Sequence, residues 1–378
     1  MIKKIILILL TITLSLSISG CKGSSELNEI HIIHSVGIDK GEKQPIRLTA
    51  EIAQLTASGQ QPKGMQNNTY LLTSEGKSVF DAARLMQQQT ERSLLWGHTT
   101  IIIFSKQIAK EGIRSQIDAI RRMRQIRNGT FLFVTERRAS DILQLKSPSE
   151  SIASQMIRGL SEGGTNTALT DKTLLIDVYS NLINEFKDIT IPAINIEKDM
   201  LRSDKLRLQA SGLYAFHGDR LTGLLNNIET KGLLRANNRM SGTVENITCD
   251  ENSIITFENI NNRSRVTVKV DNQLHPTVLM KIYADLNISS LGCSEMIVTP
   301  ESIHKWEKKL NETIETELRQ MIAFSNRHHA DILGIGERIH RKYPKQWREM
   351  QQSWHDLYQT VEWKINVYTR IDHSNFIK

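Results

Sequence analysis

Cysteine, histidine and arginine are the residues of this 378-residue chain whose types and spacing can do chemistry beyond packing. Cys21 follows Ile18, Ser19 and Gly20 in the run "ISGC". A cysteine thiolate can become a thioether-linked lipid, and two small residues before it leave the bond after Gly20 open to a peptidase. His31 and His34 stand three apart in an extended pattern, which puts them on opposite faces of a strand. His328 and His329 close a long helical pattern, where a cation suits the helix dipole. Both pairs read as structural, so no metal ligand is assigned. Arg121, Arg122, Arg124 and Arg127 form a basic run with no acid between residues 119 and 135. A solvated helix end is the plainer account of it, and contact with lipid phosphates or an acidic partner is the functional one. Trp306, Trp347, Trp354 and Trp363 fall on apolar faces and suit core packing rather than a ligand cage.

No catalytic signature joins these residues. The chain has no C-x-x-C, no H-E-x-x-H, no P-loop and no G-x-S-x-G. "GIGERIH" carries two glycines of a dinucleotide fingerprint, lacks the third, and follows no strand pattern. The expectation is a non-enzyme with no cofactor and no catalytic residues.

The element that presents Cys21 is an N-terminal address. Lys3 and Lys4 lead the apolar run "IILILLTI", and small and polar residues follow up to Gly20, the layout of a secretory signal over residues 1–20. The run is short of the roughly 20 residues a membrane span needs. With "ISGC" it resembles the lipobox of bacterial lipoproteins, with cleavage after Gly20 and a diacylglyceryl thioether and N-acyl chain on Cys21. Two or more acyl chains anchor stably, and residues 21–29 then serve as a polar lipidated tether. Losing Lys3 and Lys4 lowers the formal net charge from +7 to +5, which suits an anionic membrane surface better than nucleic acid. Cys249 and Cys293 remain. Outside the cytoplasm they are free to pair, and spacing alone does not decide whether they do.

The rest of the chain must fold around that tether. Residues 30–38 and 46–54 read as strands joined by the turn-rich "GEKQP", and residues 57–68 as a loop. A helix over 77–90 buries Val79, Ala82, Ala83 and Met86 on one side. Strands at 99–104 and 130–134 flank a helical stretch, 106–122, interrupted at Gly112. Helices follow at 149–160 and 171–187, divided by a flexible "SEGGTNT". The charged "EKDMLRSDKLRL" suggests a domain boundary, then a smaller unit with strands near 209–216 and 264–270 and a helix near 220–230. In the last unit Val278, Met280, Ile282, Ala284, Leu286 and Ile288 alternate through a strand. Thr299-Pro300 then opens a long amphipathic helix carrying Ile303, Trp306, Leu310, Ile314, Leu318 and Met321. Shorter helices lie on either side of Pro344, and Val361 to Ile371 alternate through a closing strand. The expected class is α+β or mixed α/β: a three-domain lipid-anchored ectodomain of mixed sheets packed by helices. Its units are an N-terminal α/β domain at 30–196, a small middle domain at 197–272 and a C-terminal α/β domain at 273–378.

Several stretches, in order and at their spacing, resemble the Ger(x)C spore-germination lipoproteins, the C subunits of nutrient germinant receptors. They are "ELNEIHIIHSVGIDK", "GKSVFDAARLMQQQTERSLLWGHTTIIIFSKQIAKEGI", "ASDIL", "LTGLLNNIETKGLL", "ADILGIGERIHRKYPKQWREM" and "VEWKINVYTRI". Family members usually carry a tryptophan and charged residues after the lipid cysteine, where this chain has "KGSS". They also carry acids in the arginine segment, where it has Met123 and Gln125. The resemblance implies a three-domain ectodomain without enzymatic activity on the outer face of the cell membrane, the spore inner membrane. It also implies partnership with a multi-span A subunit and a transporter-like B subunit that binds the nutrient. The alternative is a solute-binding lipoprotein of an import system, a class that expects two similar lobes around a hinge.

Overall fold

The computed structural model describes residues 29–54, 69–145, 152–199, 205–240, 242–250, 253–292 and 298–374, with Ile2 and Lys4 alone from the leader. Alternating and apolar runs form nine strands of one mixed sheet: β1 (Ile30–Lys40), β2 (Ile46–Ala53), β3 (Thr69–Gly76), β4 (Ser93–Leu95), β5 (Ile101–Ser105), β6 (Phe131–Thr135), β7 (Thr190–Lys198), β8 (Leu206–His217) and β9 (Arg220–Leu225). Their order is β3–β2–β1–β5–β6–β7–β8–β9, with β4 paired to β1. The centre, β1–β5–β6–β7, is parallel and the flanks are antiparallel.

A parallel centre must be covered on both faces, and it is. On one side pack α1 (Val79–Gln87), α2 (Lys106–Glu111), α3 (Arg114–Arg122) and α6 (Leu175–Asn184), in a core with Val36, Ile38, Ile102 and Phe104. On the other, α4 (Ala139–Gln144) and α5 (Ala153–Asn166) bury Ile142 and Ile157 against Ile101, Ile103 and Phe133. The β1–β2 turn is held by Glu75 of β3. Its carboxylate accepts from the N–H groups of Glu42, Lys43 and Gln44 at 3.0, 2.8 and 3.2 Å.

The second sheet has the order β10 (Thr243–Asp250), β11 (Ser253–Val270), β12 (Pro276–Leu291) and β13 (Glu362–Ser374). β12 and β13 run parallel, from Thr277 beside Glu362 to Ile288 beside Ser374. Between them in sequence comes α8 (Pro300–Arg327), whose start is fixed by Thr299 accepting from Ser302 N at 3.2 Å with Pro300 in the first turn. Its stripe of Trp306, Leu310, Ile314, Leu318 and Met321 is buried over Val278, Met280, Ile282 and Ala284. Asn311 and Glu307 also accept from Thr369 N and Ile371 N, at 2.9 and 3.1 Å, so α8 blunts the open edge of β13. Helices α9 (Ile335–Lys342), α10 (Pro344–Met350) and α11 (Trp354–Gln359) complete this unit.

Three expectations change. The strands between 197 and 272 make no sheet of their own: β8 and β9 extend the first sheet, while β10 and β11 belong to the second. The cause is a shared core, in which Leu213, Ala215 and Leu225 pack in the cluster that contains Val278 and Met321. The helix expected near 220–230 is β9 followed by α7 (Asn227–Ala236). Asn226 sets that start: its side chain accepts from Ile228 N and Glu229 N, both at 2.9 Å, and Glu229 reaches back to Asn226 N. Finally, α5 runs through most of "SEGGTNT". Packing outweighs the glycine cost, since a Cβ on Gly164 would lie 2.4 Å from Thr170 Cγ2. Strands β3, β4, β7 and β10 were not foreseen.

α7 and α8 meet closely, because a Cβ on Gly232 would lie 2.7 Å from Glu317 O. Beside that contact Arg235, fully buried, pairs with Glu245 and with Glu317, and Lys231 reaches the same two acids at 2.6 and 3.1 Å. Burial pushes the Glu317 carboxyl up and the neighbouring Glu245 adds to this, while the two cations oppose it.

Candidate functional site

Gly20 and Cys21, the cleavage and lipidation positions expected from sequence, lie outside the described residues, as does the tether up to residue 28. Residue 29 leads directly into β1, which lies between β2 and β5 inside the first sheet. Among the described residues no helix is long and apolar enough to cross a membrane. Cys249, at the end of β10, is disulfide-bonded, and Cys293 lies outside the described residues.

The four arginines do not act as one patch. Arg121 is half-buried, donates to Asn128 Oδ1, and sits over the Tyr179 ring with its guanidinium carbon 4.9 Å from the centroid. Arg122 pairs with Asp118 one turn back at 2.7 Å. Arg124, in the left-handed region at φ 49°, and Arg127 are exposed and have no ion pair among the described residues. Met123 and Gln125 between them line a cavity of about 210 Å³ with Phe80, Arg84, Leu94 and Trp96. Phe80 is 42% exposed there, under the Arg84 guanidinium at 5.2 Å. Arg124 and Arg127 are thus two exposed cations, of a kind that suits an anionic contact, and the cation over the Phe80 ring is Arg84.

Buried carboxylates are the residues that sequence reasoning missed. Asp39 on β1 accepts from Ala139 N and Ser140 N at 2.7 and 3.1 Å, which caps α4. Glu51 on β2 accepts from Ala153 N and Ser154 N at the start of α5, and also from Ser35 and Thr69 hydroxyls. Asp331 accepts from Ile335 N, Gly336 N and Trp354 Nε1 at 2.9, 2.7 and 3.1 Å. Burial raises its carboxyl to about 6 despite those donors. Asp188, in the loop before β7, accepts from Asp331 N at 2.7 Å and from Gly218 N at 2.8 Å, joining the first sheet to the C-terminal helices. The one sequence signal was an acid shortly before a helix start, at Asp331 and the α9 start after Gly334 (φ 67°).

Two histidines complete this seam. His217 at the end of β8 holds its Nδ1 2.6 Å from His329 O, and its ring lies 4.1 Å from that of His355 on α11. Donor atoms of Asp188, His217 and His355 lie within 4.8 Å of one another, the one group of this kind among the described residues. His31 contacts the Tyr70 ring edge-on at 5.9 Å and sits 3.7 Å from Glu91; it joins no such group with His34. His328 stacks on Phe324 one turn back at 4.3 Å, a packing role.

Fold and site together define a class: a mixed α+β protein of two helix-packed sheets, whose buried acids hold helix ends. Two family models then match it in order. One, "Spore germination protein N-terminal domain", covers residues 23–196, and the other, "Spore germination B3/ GerAC like, C-terminal", covers residues 211–375. The chain belongs to this spore germination family. It is 23% identical to spore germination protein KC of Bacillus subtilis (strain 168), across 95% of this chain and 92% of that protein. Spore germination protein A3 of the same organism is 24% identical, across 94% and 95%. The crystal structure of the GerBC protein shares the fold, with a TM-score of 0.59 at 14% identity over 89% of this chain and 97% of that one.

Proposed function

We propose that this chain is the lipid-anchored C subunit of a spore germinant receptor, needed for nutrient-triggered germination through assembly with membrane A and B subunits. The observation that carries the reading is the pair of family models spanning both sheets in order, residues 23–196 and 211–375. The "ISGC" run supports an anchor at Cys21, and in this reading the folded part stands on the outer face of the membrane, the spore inner membrane. The exposed cations Arg124 and Arg127 are the contact offered to a membrane subunit or to lipid headgroups. A non-catalytic role belongs to this reading, and it is supported by the buried carboxylates described above, each of which holds a helix end, a neighbouring backbone N–H or an ion pair. The solute-binding reading is disfavoured by two unlike sheets, of nine and four strands among the described residues, where two similar lobes would be needed.

The test is deletion of the gene, with nutrient germination and solute uptake measured side by side. Loss of germination with normal uptake, restored by the wild-type gene, supports the proposal. Normal germination with defective uptake overturns it.

A further inference from the structure

We propose that Asp188, His217 and His355 form a Zn²⁺ site that ties the first sheet to the C-terminal helices. The three come from separate elements: the loop before β7, the end of β8, and α11. Asp188 and His217 are held by hydrogen bonds, and His355 brings an unmatched nitrogen. His217 Nδ1 faces the His329 carbonyl at 2.6 Å, so it carries the proton and leaves Nε2 with the free lone pair. A backbone carbonyl on the far nitrogen is the usual way a metal-binding imidazole is oriented. Asp188 is 5% exposed and is fixed by the N–H groups of Gly218 and Asp331. His355 Nδ1 is buried without a hydrogen-bond partner among the described residues, and the nearest Asp188 oxygen is 3.8 Å away, too far for one.

A buried polar atom left unmatched costs free energy, and a metal ion would satisfy it. Two imidazoles and one carboxylate suit zinc, and leave a fourth position for water. Bonds of about 2.0–2.1 Å require donor atoms roughly 3.3 Å apart. The present spread, within 4.8 Å, has to close on binding, and the His355 side chain, 41% exposed, is the member with room to turn. Magnesium and calcium are poor candidates, since they take oxygen ligands.

The full chain, purified in detergent without a histidine tag and stripped with chelator, is titrated with ZnCl₂ by calorimetry and with Co²⁺ by visible absorption. One equivalent should bind. His217→Gln and His355→Gln should each weaken binding at least tenfold, while their metal-free circular dichroism matches wild type. Zn²⁺ should also raise the melting temperature of wild type and of neither variant. The proposal is overturned if wild type shows no saturable one-to-one binding, or if both variants bind zinc as wild type does. It is equally overturned if cobalt binds without a d–d band of imidazole-ligated form. Germination need not be measured, so this outcome is independent of the receptor assignment.

Discussion

At the scale of single residues, the chain uses acids where a sequence reading looks for catalysts. Glu51 is 1% exposed and its carboxylate accepts four hydrogen bonds, two from backbone N–H groups and two from hydroxyls. Glu51→Ala would strand two N–H groups at the start of α5 and two hydroxyls. Charge-assisted bonds of this sort are worth about 1.5–3 kcal/mol each at most, with partial compensation by water. We expect a loss of about 2–3 kcal/mol in urea unfolding; an unchanged midpoint would reject the capping role. Glu75 gives a pH prediction. The N–H groups of Glu42 and Lys43 hold its carboxyl at about 2, against an ordinary 4.5. A lowered native value means stabilisation that is present above about 4.5 and disappears as pH falls through about 2. Glu75→Gln should therefore flatten stability against pH across that window, read by circular dichroism in an acid titration, while leaving the slope near neutrality unchanged.

At the scale of elements, α8 decides whether the second sheet is closed. Trp306 is 7% exposed and meets Phe257 edge to face at 6.3 Å. Trp306→Ala leaves a cavity where the helix crosses β11, and should cost about 3–5 kcal/mol in denaturant unfolding. A variant as stable as wild type would show that the helix is held elsewhere, for instance by the Arg235–Glu245–Glu317 group. That group ties α7 to α8 and to β10, and breaking a buried pair is itself expensive.

At the scale of the whole molecule, the proposed lipid on Cys21 is what would hold the chain at the membrane. Cys21→Ala should move the protein to the soluble fraction of cells lacking the receptor partners, or leave it unprocessed. Persistence of a processed form in salt-washed membranes would contradict that. Arg124→Glu with Arg127→Glu should leave the fold intact, since neither arginine has an ion pair among the described residues. Co-purification of membrane partners should fall several-fold with normal protein levels. Unchanged recovery would remove this surface from the assembly.

The sequence by itself determined whatever depends on short-range pattern. Alternation along β12 and β13, the Thr299-Pro300 start of α8, the α1 face of Val79, Ala82, Ala83 and Met86, and the break at Gly112 all follow from periodicity and capping. The ordered run of motifs also reached the family. Tertiary structure decided what depends on residues far apart in the chain. β7 and β10 became strands because β8 and β11 supply their partners, and the segment at 197–272 was shared between sheets because Leu213 and Leu225 pack with Met321. The Asp188–His217–His355 group was invisible for the same reason: its members are 29 and 138 residues apart, and only the folded seam brings their donor atoms within 4.8 Å. Local propensity acts over a few residues, whereas a site of this kind exists only once the first sheet and a C-terminal helix have paid the entropy of coming together.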